Sequence, residues 1–336
     1  MQKIFKPLFF GCLVVDFICN ASFVQDILGI GEEQFLALSQ VERVKLFEPY
    51  HSLAGAFKLL SLRALDDMIR ACPQPGTGTF NVIIGEVGEL QIKPENYDAV
   101  FQVASNFNVL EVASPYDWPN RLENYIYDQT QGPCAAIGAA PALIWRRYFS
   151  MLNGAEQTRD NQINLLCNIP LGNYVTNGYL KLSEFELDQL CCVTCKAYRD
   201  MQVGWHANVL VTHWAHRTES GVLSVKHFPY SQQRINQVFF AALDLAGTNA
   251  GVGQDPDTLL LAKSLLSAAY EGTFKAAIAH GKTKVFITLM GCGVFGNCAD
   301  WVAEVLINCM HPLIIAYGLH VFLVLSNVHD WQKFSA

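Results

Sequence analysis

The stretch Val285-Phe286-Ile287-Thr288-Leu289-Met290-Gly291-Cys292-Gly293-Val294-Phe295-Gly296-Asn297 joins an apolar run to a glycine-rich turn. The apolar run predicts a strand that is buried on both faces of a sheet, and residues 299–310 predict a helix. A glycine-rich turn at this position directs backbone N–H groups at an anion. We therefore predict that residues 291–296 bind phosphate. The alternative is a tight turn that needs glycine for steric reasons alone.

The spacing Gly-x-Gly-x-x-Gly also occurs in dinucleotide-binding folds, but its setting differs here. Those folds place an acidic residue at the end of the next strand. The next predicted strand, residues 319–325, ends in Ser326-Asn327 and carries no carboxylate there. The turn is therefore predicted to belong to another kind of α/β domain.

Strands alternate with helices upstream of this turn. Residues 80–84 and 98–103 predict short strands, and residues 257–280 predict a long helix that Gly281 ends. Such alternation indicates an α/β sheet with helices on both faces.

Other segments complete the predicted order of elements. Residues 203–213 predict a strand, with residues 221–228 as its hairpin partner. Residues 234–245 and 52–70 predict helices from their apolar spacing.

The chain is predicted to have two parts. Residues 1–75 are helical in pattern and end at the Pro- and Gly-rich cluster 73–78, a candidate boundary. We expect them to form an accessory helical layer outside the ligand site, followed by the main domain at 76–336.

The composition excludes several classes of protein. The chain is 51% hydrophobic and 16% charged, which excludes a disordered or coiled-coil protein. Its net charge of −7 makes nucleic-acid binding an unfavourable interpretation, and no apolar run reaches the roughly 20 residues of a membrane span. Eleven scattered cysteines indicate reduced thiols and a cytoplasmic protein; the alternative is secretion, if residues 1–21 act as a signal.

No metal site is predicted. The pair Cys192 and Cys195 has the spacing of a zinc knuckle but lacks a second pair, so we interpret it as core thiols. Four histidines lie on or near predicted strands and are interpreted as half-buried sheet residues: His206, His213, His216 and His227.

Three motifs in the same order resemble the macrodomain superfamily. They are Val82-Ile83-Ile84-Gly85-Glu86-Val87-Gly88-Glu89-Leu90, Asp98-Ala99-Val100-Phe101-Gln102-Val103-Ala104-Ser105-Asn106, and the turn at 291–296. The resemblance covers roughly residues 80–330. It implies a three-layer α/β/α fold with a mixed sheet and a pocket for ADP-ribose, with no cofactor required.

The resemblance also implies roles for individual residues. Glu86 takes the position of the acid that receives the adenine amino group, and Asn106 approaches the distal ribose. Residues 291–296 would cradle the diphosphate, with Phe295 against the ribose. The predicted ADP-ribose-binding residues are Glu86, Asn106, Asn108, Gln131, Gly132, Gly291, Cys292, Gly293, Val294, Phe295, Gly296 and Asn327. The alternatives are a surface acid for Glu86 and a turn-forming residue for Asn106.

The chain departs from the family pattern after Asn106. No glycine-rich first phosphate loop follows; instead Gln131-Gly132 precedes a predicted helix at 134–149 and could serve that purpose. The Gln-Glu-Glu signature of poly(ADP-ribose) glycohydrolases is absent, so we expect the chain to lie outside that subgroup. The acid-rich insertion 107–133 is similar to that of divergent macrodomains with ADP-ribosylhydrolase activity.

That insertion supplies the predicted catalytic residues. Breaking an anomeric bond calls for one carboxylate that stabilises charge or activates water and a second that protonates the leaving group. The candidates, in order, are Asp128, Asp117 and Glu111, with Asn106 beside them; Glu123 is expected to be an ordinary exposed acid.

The predicted function is an ADP-ribosylhydrolase that acts on modified protein side chains, with arginine-linked ADP-ribose as one candidate. Its partner would be an ADP-ribosylated protein, and the sequence makes no prediction of oligomeric state. The alternative is a module that binds ADP-ribose, or a related nucleotide diphosphate, without cleaving it.

Overall fold

A computed structural model describes residues 22–116, 118, 121–183, 185–186, 190, 197–247, 249–250 and 256–326. Its strands are β1 (Ala56–Ser61), β2 (Thr79–Ile84), β3 (Val100–Ala104), β4 (Val175–Thr176), β5 (Tyr179–Leu180), β6 (Gln202–Leu210), β7 (His213–His216), β8 (Ser224–His227), β9 (Arg234–Phe240), β10 (Lys284–Thr288) and β11 (His320–Leu325).

The helices are α1 (Phe23–Leu28), α2 (Glu32–Ala37), α3 (Gln40–Phe47), α4 (His51–Ala54), α5 (Leu62–Ile69), α6 (Val87–Ile92), α7 (Gln131–Gly138), α8 (Ala140–Tyr148), α9 (Pro256–Ala279), α10 (Ala299–Val305) and α11 (His311–Ala316). A π-helical stretch, Leu306–Met310, joins the last two helices. Single 3-10 turns occupy Glu48–Tyr50, Pro94–Asn96, Leu122–Tyr127, Leu152–Gly154, Pro170–Tyr174 and Tyr198–Asp200. Among the described residues, no helix is both long and apolar enough to cross a membrane.

A seven-stranded mixed sheet forms the centre, in the order β1-β6-β9-β3-β10-β11-β2. Strands β9, β3, β10, β11 and β2 run parallel, whereas β6 is antiparallel to both of its neighbours. The pairs β4–β5 and β7–β8 form two small separate sheets. The parallel core brings the carboxyl ends of β9, β3, β10 and β11 to one edge.

Two polar side chains inside the sheet show that helices cover both of its faces. Gln102 in β3 donates to the Thr273 hydroxyl of α9 at 3.2 Å, on one face. Gln237 in the adjacent β9 donates to the carbonyl of Ala135 in α7 at 3.0 Å, on the other. Both glutamines are buried, so these bonds give each side-chain amide N–H a partner in place of water. The predicted three layers, helices on both faces of a mixed sheet, are confirmed.

Three predicted elements are wrong. Residues 52–70 form β1 followed by α5, because Gly55 has a φ of +77° that ends α4 and the Ser61 hydroxyl caps the start of α5. Residues 234–245 begin with β9, not a helix: six of its seven residues are buried, so the strand shows no two-residue alternation. The strand β8 pairs with β7 and not with β6.

The segment before residue 75 is part of the sheet as well as a helical layer. Strand β1 forms one edge of the central sheet through its pairing with β6. The helices α1–α3 bury Phe23, Phe35 and Phe47, and the Phe47 ring stacks on Phe149 at 4.7 Å. The division of the chain near residue 75 stays a prediction.

A reciprocal pair of glutamates joins this segment to the insertion after β3. The buried carboxylate of Glu32 accepts the N–H groups of Leu122 and Glu123 at 2.7 and 3.0 Å, and the Tyr148 hydroxyl. The Glu123 carboxylate accepts the N–H of Glu32 at 3.2 Å and the Ser22 hydroxyl. Glu123 is therefore a structural cap, and its interpretation as an ordinary exposed acid is wrong.

We expect Glu32→Ala to lower the free energy of unfolding by about 2–4 kcal/mol, because it leaves two backbone N–H groups without an acceptor away from water. Urea unfolding of the full chain measures this change. The matched control is Glu33→Ala, which removes an exposed carboxylate from the same helix and should cost less than about 0.5 kcal/mol. Equal effects of the two substitutions would contradict the proposed role of Glu32.

Candidate functional site

A cleft of about 740 Å³ opens at the carboxyl ends of the parallel strands. Its lining includes Ala104 at the end of β3, Ala242 after β9, Thr288 at the end of β10 and Leu325 at the end of β11. Open α/β sheets bind ligands at this edge, and the volume is in the range of small-molecule sites.

The turn after β10 forms one wall of the cleft, and its shape explains two of its glycines. Gly291 has a φ of +74°, and a Cβ atom there would lie 2.4 Å from the Ala242 side chain. Gly296 has a φ of +70°. The buried Asn297 side chain donates to the carbonyl of Leu243 at 2.7 Å and so fixes the end of the turn. A Cβ atom at Gly293, by contrast, would meet no atom within 4 Å.

The same turn presents backbone donors. In the described part of the chain, the N–H groups of Gly293, Val294 and Phe295 donate to no backbone carbonyl. All three residues line the cleft. Such a run of N–H groups suits an anionic group of a ligand.

A second set of donors lies at the start of α7, which faces the same cleft. Gln131 and Gly132 occupy the first turn of this helix, whose N–H groups have no partner within the helix. A Cβ atom at Gly132 would lie 2.2 Å from the carbonyl oxygen of Ala104, so glycine lets α7 approach β3. The carboxylate of Asp128 accepts the N–H of Thr130 at 2.8 Å and orders the entry to the helix.

Glu111 lines the same cleft, and its side chain lies beside Gly132 at the start of α7. Its side chain is 6% exposed, and neither carboxylate oxygen has a hydrogen bond of normal geometry. Burial raises the pKa of Glu111 to about 8, although the Arg146 charge and the nearby Tyr125 hydroxyl act in the opposite direction. Glu111 is therefore a neutral acid at pH 7.

The backbone before Glu111 is held tightly. Asn106 closes the loop: its N–H donates to the carbonyl of Leu110 at 2.8 Å, and its side-chain amide donates to that of Val112 at 3.1 Å. Val109 has a φ of +59°, which is unfavourable for a β-branched residue and requires support from its surroundings.

Arg146 of α8 supplies part of that support from inside the protein. Its Nε donates to the Val109 carbonyl at 3.1 Å, and its guanidinium lies 3.9 Å from the centre of the Phe239 ring. The side chain is completely buried, and burial lowers its pKa while the charge of Glu111 raises it. Arg146 thus fixes the Glu111 loop and places a positive charge near its carboxyl.

Arg217, which follows β7, is a cleft residue that the sequence analysis missed. Among the described residues it is the single cationic side chain that lines the cleft. Arg217, Glu86 and Asp128 all act on the Cys134 thiol, so these three charges lie near the start of α7. No sequence motif marks Arg217, because the β7–β8 hairpin that carries it is what brings it to the cleft.

The structure brings together most of the predicted site. The predicted residues that line the cleft are Asn106, Glu111, Asp128, Gln131, Gly132, Gly291, Cys292, Gly293, Val294 and Phe295. No described residue of 22–75 lines it.

Other predicted residues lie elsewhere. Neither Glu86 nor Gly296 lines the cleft, although Phe295 and Asn297 on either side of Gly296 do. Asn108 is fully buried outside the cleft: its side chain donates to Gln162 at 3.0 Å and accepts the Leu110 N–H at 3.2 Å, so the structure does not bring it together with the other predicted residues. Asp117 and Asn327, together with Cys192 and Cys195, lie outside the described residues.

No protein-family model matches the chain, and a comparison with curated proteins finds no match. Among solved structures, it is similar to poly(ADP-ribose) glycohydrolase from Thermomonospora curvata, with 14% identity and a TM-score of 0.48 over 86% of this chain and 92% of that chain. It is also similar to a mutant of the Deinococcus radiodurans enzyme in complex with ADP-ribose, with 14% identity and a TM-score of 0.47 over 85% of this chain and 94% of that chain.

A third similar structure, poly(ADP-ribose) glycohydrolase from Deinococcus radiodurans with ADP-ribose, has 14% identity and a TM-score of 0.45 over 83% of this chain and 91% of that chain. All three structures are of poly(ADP-ribose) glycohydrolases, from two organisms. Because each TM-score is below 0.5, this similarity carries no conclusion about activity.

Proposed function

We propose that this protein is an ADP-ribosylhydrolase that removes ADP-ribose from modified protein side chains. The observation that carries the proposal is a buried, neutral Glu111 carboxyl in the same cleft as two loops with available N–H donors. The loops can donate hydrogen bonds to an anionic ligand, and the Glu111 carboxyl can donate a proton to a ligand in the same cleft.

The hydrogen-bond donors in the cleft indicate which kind of ligand it binds. The N–H groups of residues 293–295 and those at the start of α7 suit the two phosphates of a diphosphate. Arg217 adds a positive charge on the side of Glu86, where the resemblance places the adenine. ADP-ribose combines these groups with an anomeric carbon that could extend toward Glu111.

The chemistry is hydrolysis of the bond between the anomeric carbon and a nitrogen or oxygen of the modified side chain. As that bond breaks, Glu111 gives its proton to the leaving group and becomes a carboxylate. Water adds to the oxocarbenium-like carbon and loses a proton to the Asp128 side chain, the proposed base in the cleft, which later releases that proton to solvent. Glu111 recovers a proton from solvent after the products leave.

This assignment gives Glu111 the role of acid and Asp128 the role of base, with Asn106 holding the loop between β3 and Glu111. Asp117 stays a candidate from the sequence alone. An arginine-linked substrate is supported by the presence of Asp128 in the cleft, since a carboxyl group there could pair with a departing guanidinium.

The first prediction concerns the ligand. We expect ADP-ribose to bind the full chain in calorimetric titration, and Gly293→Val to weaken binding at least tenfold because its side chain projects into open space beside the N–H groups. Gly31→Ala, which adds a Cβ in open space at the start of α2, is the control and should bind normally. Normal binding by folded Gly293→Val would remove the turn from the site.

The second prediction concerns turnover. Glu111→Gln should reduce release of ADP-ribose from arginine-modified protein by about 10²–10⁴-fold while affinity for free ADP-ribose changes only several-fold, because a general acid acts in the transition state. The exposed Glu33→Gln should be unaffected. If the wild-type protein binds ADP-ribose but releases none from arginine- or glutamate-modified proteins, it is instead a binding module.

The third prediction concerns pH. Turnover should fall as pH rises through about 8, because the acid form of Glu111 is lost. A raised carboxyl pKa also means that the folded state holds a proton that the unfolded state loses above about 4.5, so stability decreases from there to about pH 8.

Urea unfolding of the wild type and Glu111→Gln across this range isolates that effect. The free energy of unfolding of Glu111→Gln, relative to that of the wild type, should increase by about 5 kcal/mol as pH rises. A difference that is constant from pH 4 to 9 would show that the Glu111 pKa is not raised.

A further inference from the structure

Three possible metal ligands meet on the side of the β7–β8 hairpin that faces α1. His213 and His227 are direct cross-strand neighbours in this hairpin. Asp26 of α1 points at both: one carboxylate oxygen lies 3.3 Å from His213 Nε2, and the other lies 3.9 Å from His227 Nδ1. None of the three lines the cleft, so the site that they form is separate from the one described above.

These donors have the chemistry and spacing of a zinc-type site. The ligand atoms all lie within 4.8 Å of one another. A tetrahedral zinc ion with bonds of about 2.0–2.1 Å holds its ligand atoms about 3.4 Å apart, so the three ligand atoms must move closer together to bind one ion. Two imidazole nitrogens and one carboxylate oxygen favour zinc and its transition-metal neighbours over calcium or magnesium, and water would complete the shell.

We propose that Asp26, His213 and His227 bind one zinc-type divalent metal ion, which links α1 to the β7–β8 hairpin.

The surroundings of His213 prepare it for this role. Its ring is completely buried, and its Nδ1 lies 2.8 Å from the Thr212 hydroxyl, which fixes the ring with Nε2 toward Asp26. A hydrogen bond from the second ring nitrogen is the usual support of a metal-binding histidine.

His227 provides the movable ligand. The two imidazoles stack with centroids 4.6 Å apart and an interplanar angle of 13°, so their in-plane lone pairs run nearly parallel. Convergence on one ion requires His227 to rotate about its side-chain bonds. Its side chain is 26% exposed, which gives both the space for that rotation and a path for the ion.

Bound metal would act on a wall of the cleft from a distance. The hairpin continues into Arg217, and the N–H of Leu223 within it donates to the Ile126 carbonyl at 2.7 Å, next to the loop that carries Asp128. Joining α1 to this hairpin would therefore stabilise the orientation of that wall.

The test uses the full chain, stripped with a chelator, incubated with excess Zn²⁺ and dialysed. We expect one zinc per chain by mass spectrometry of the metal, and a melting temperature at least about 3 °C above that of the stripped protein. His227→Ala and Asp26→Asn should each lose the zinc and the shift. His311→Ala, an exposed histidine on α11, is the control and should keep both.

Two results would overturn the proposal: no zinc retained by the wild-type protein, or equal retention by the wild type and both ligand variants. Co²⁺ substitution of the wild type tests it without any variant that must fold. A site of two histidines and one carboxylate gives cobalt d–d absorption without a thiolate charge-transfer band. That band would place the ion on cysteines and contradict the assignment.

Discussion

Desolvation of one carboxyl group is the constraint on which the rest of this site depends. Glu111 lines the cleft with both oxygens lacking a normal hydrogen bond, so its ionised form is strongly disfavoured. The backbone helps to position this group, because the Glu111 N–H donates to the Tyr125 hydroxyl at 2.9 Å. The positive φ of Val109, the Asn106 loop and the buried Arg146 are the features that hold it.

Arg146 also limits how far the pKa of Glu111 can rise. A positive charge buried beside a buried acid favours ionisation, so the Arg146 guanidinium opposes the increase in the Glu111 pKa that desolvation causes. The guanidinium is itself stabilised by the Phe239 ring and the Val109 carbonyl. The acidity of Glu111 and the shape of its loop are thus set by the same side chain, so the two properties are coupled.

The pattern of apolar residues and glycines along the chain made much of the fold and part of the site predictable. The strand at 285–290 and the helix at 257–280 were predictable because a continuous apolar run and a long periodic one are unambiguous, and the glycine turn follows from them. Strand β9 was not, because burial on both faces removes the alternation that distinguishes a strand. Asn108 and Arg217 depend on tertiary placement: one turns into the protein and the other reaches the cleft on a hairpin. Which of Glu111 and Asp128 acts as the acid likewise depends on burial, which the spacing of residues in the sequence does not reveal.

The strand order has a consequence for how the chain folds during synthesis. Strand β2 pairs only with β11 in the described sheet, so residues 79–84 find their partner about 240 positions later, at residues 320–325. Edge strand β1 similarly waits for β6. Contacts of such separation slow folding because a long loop must close before they form. Strands β1 and β2 therefore lack their partners until later parts of the chain are synthesised, and unpaired strands of this kind are where incorrect pairing between chains can begin.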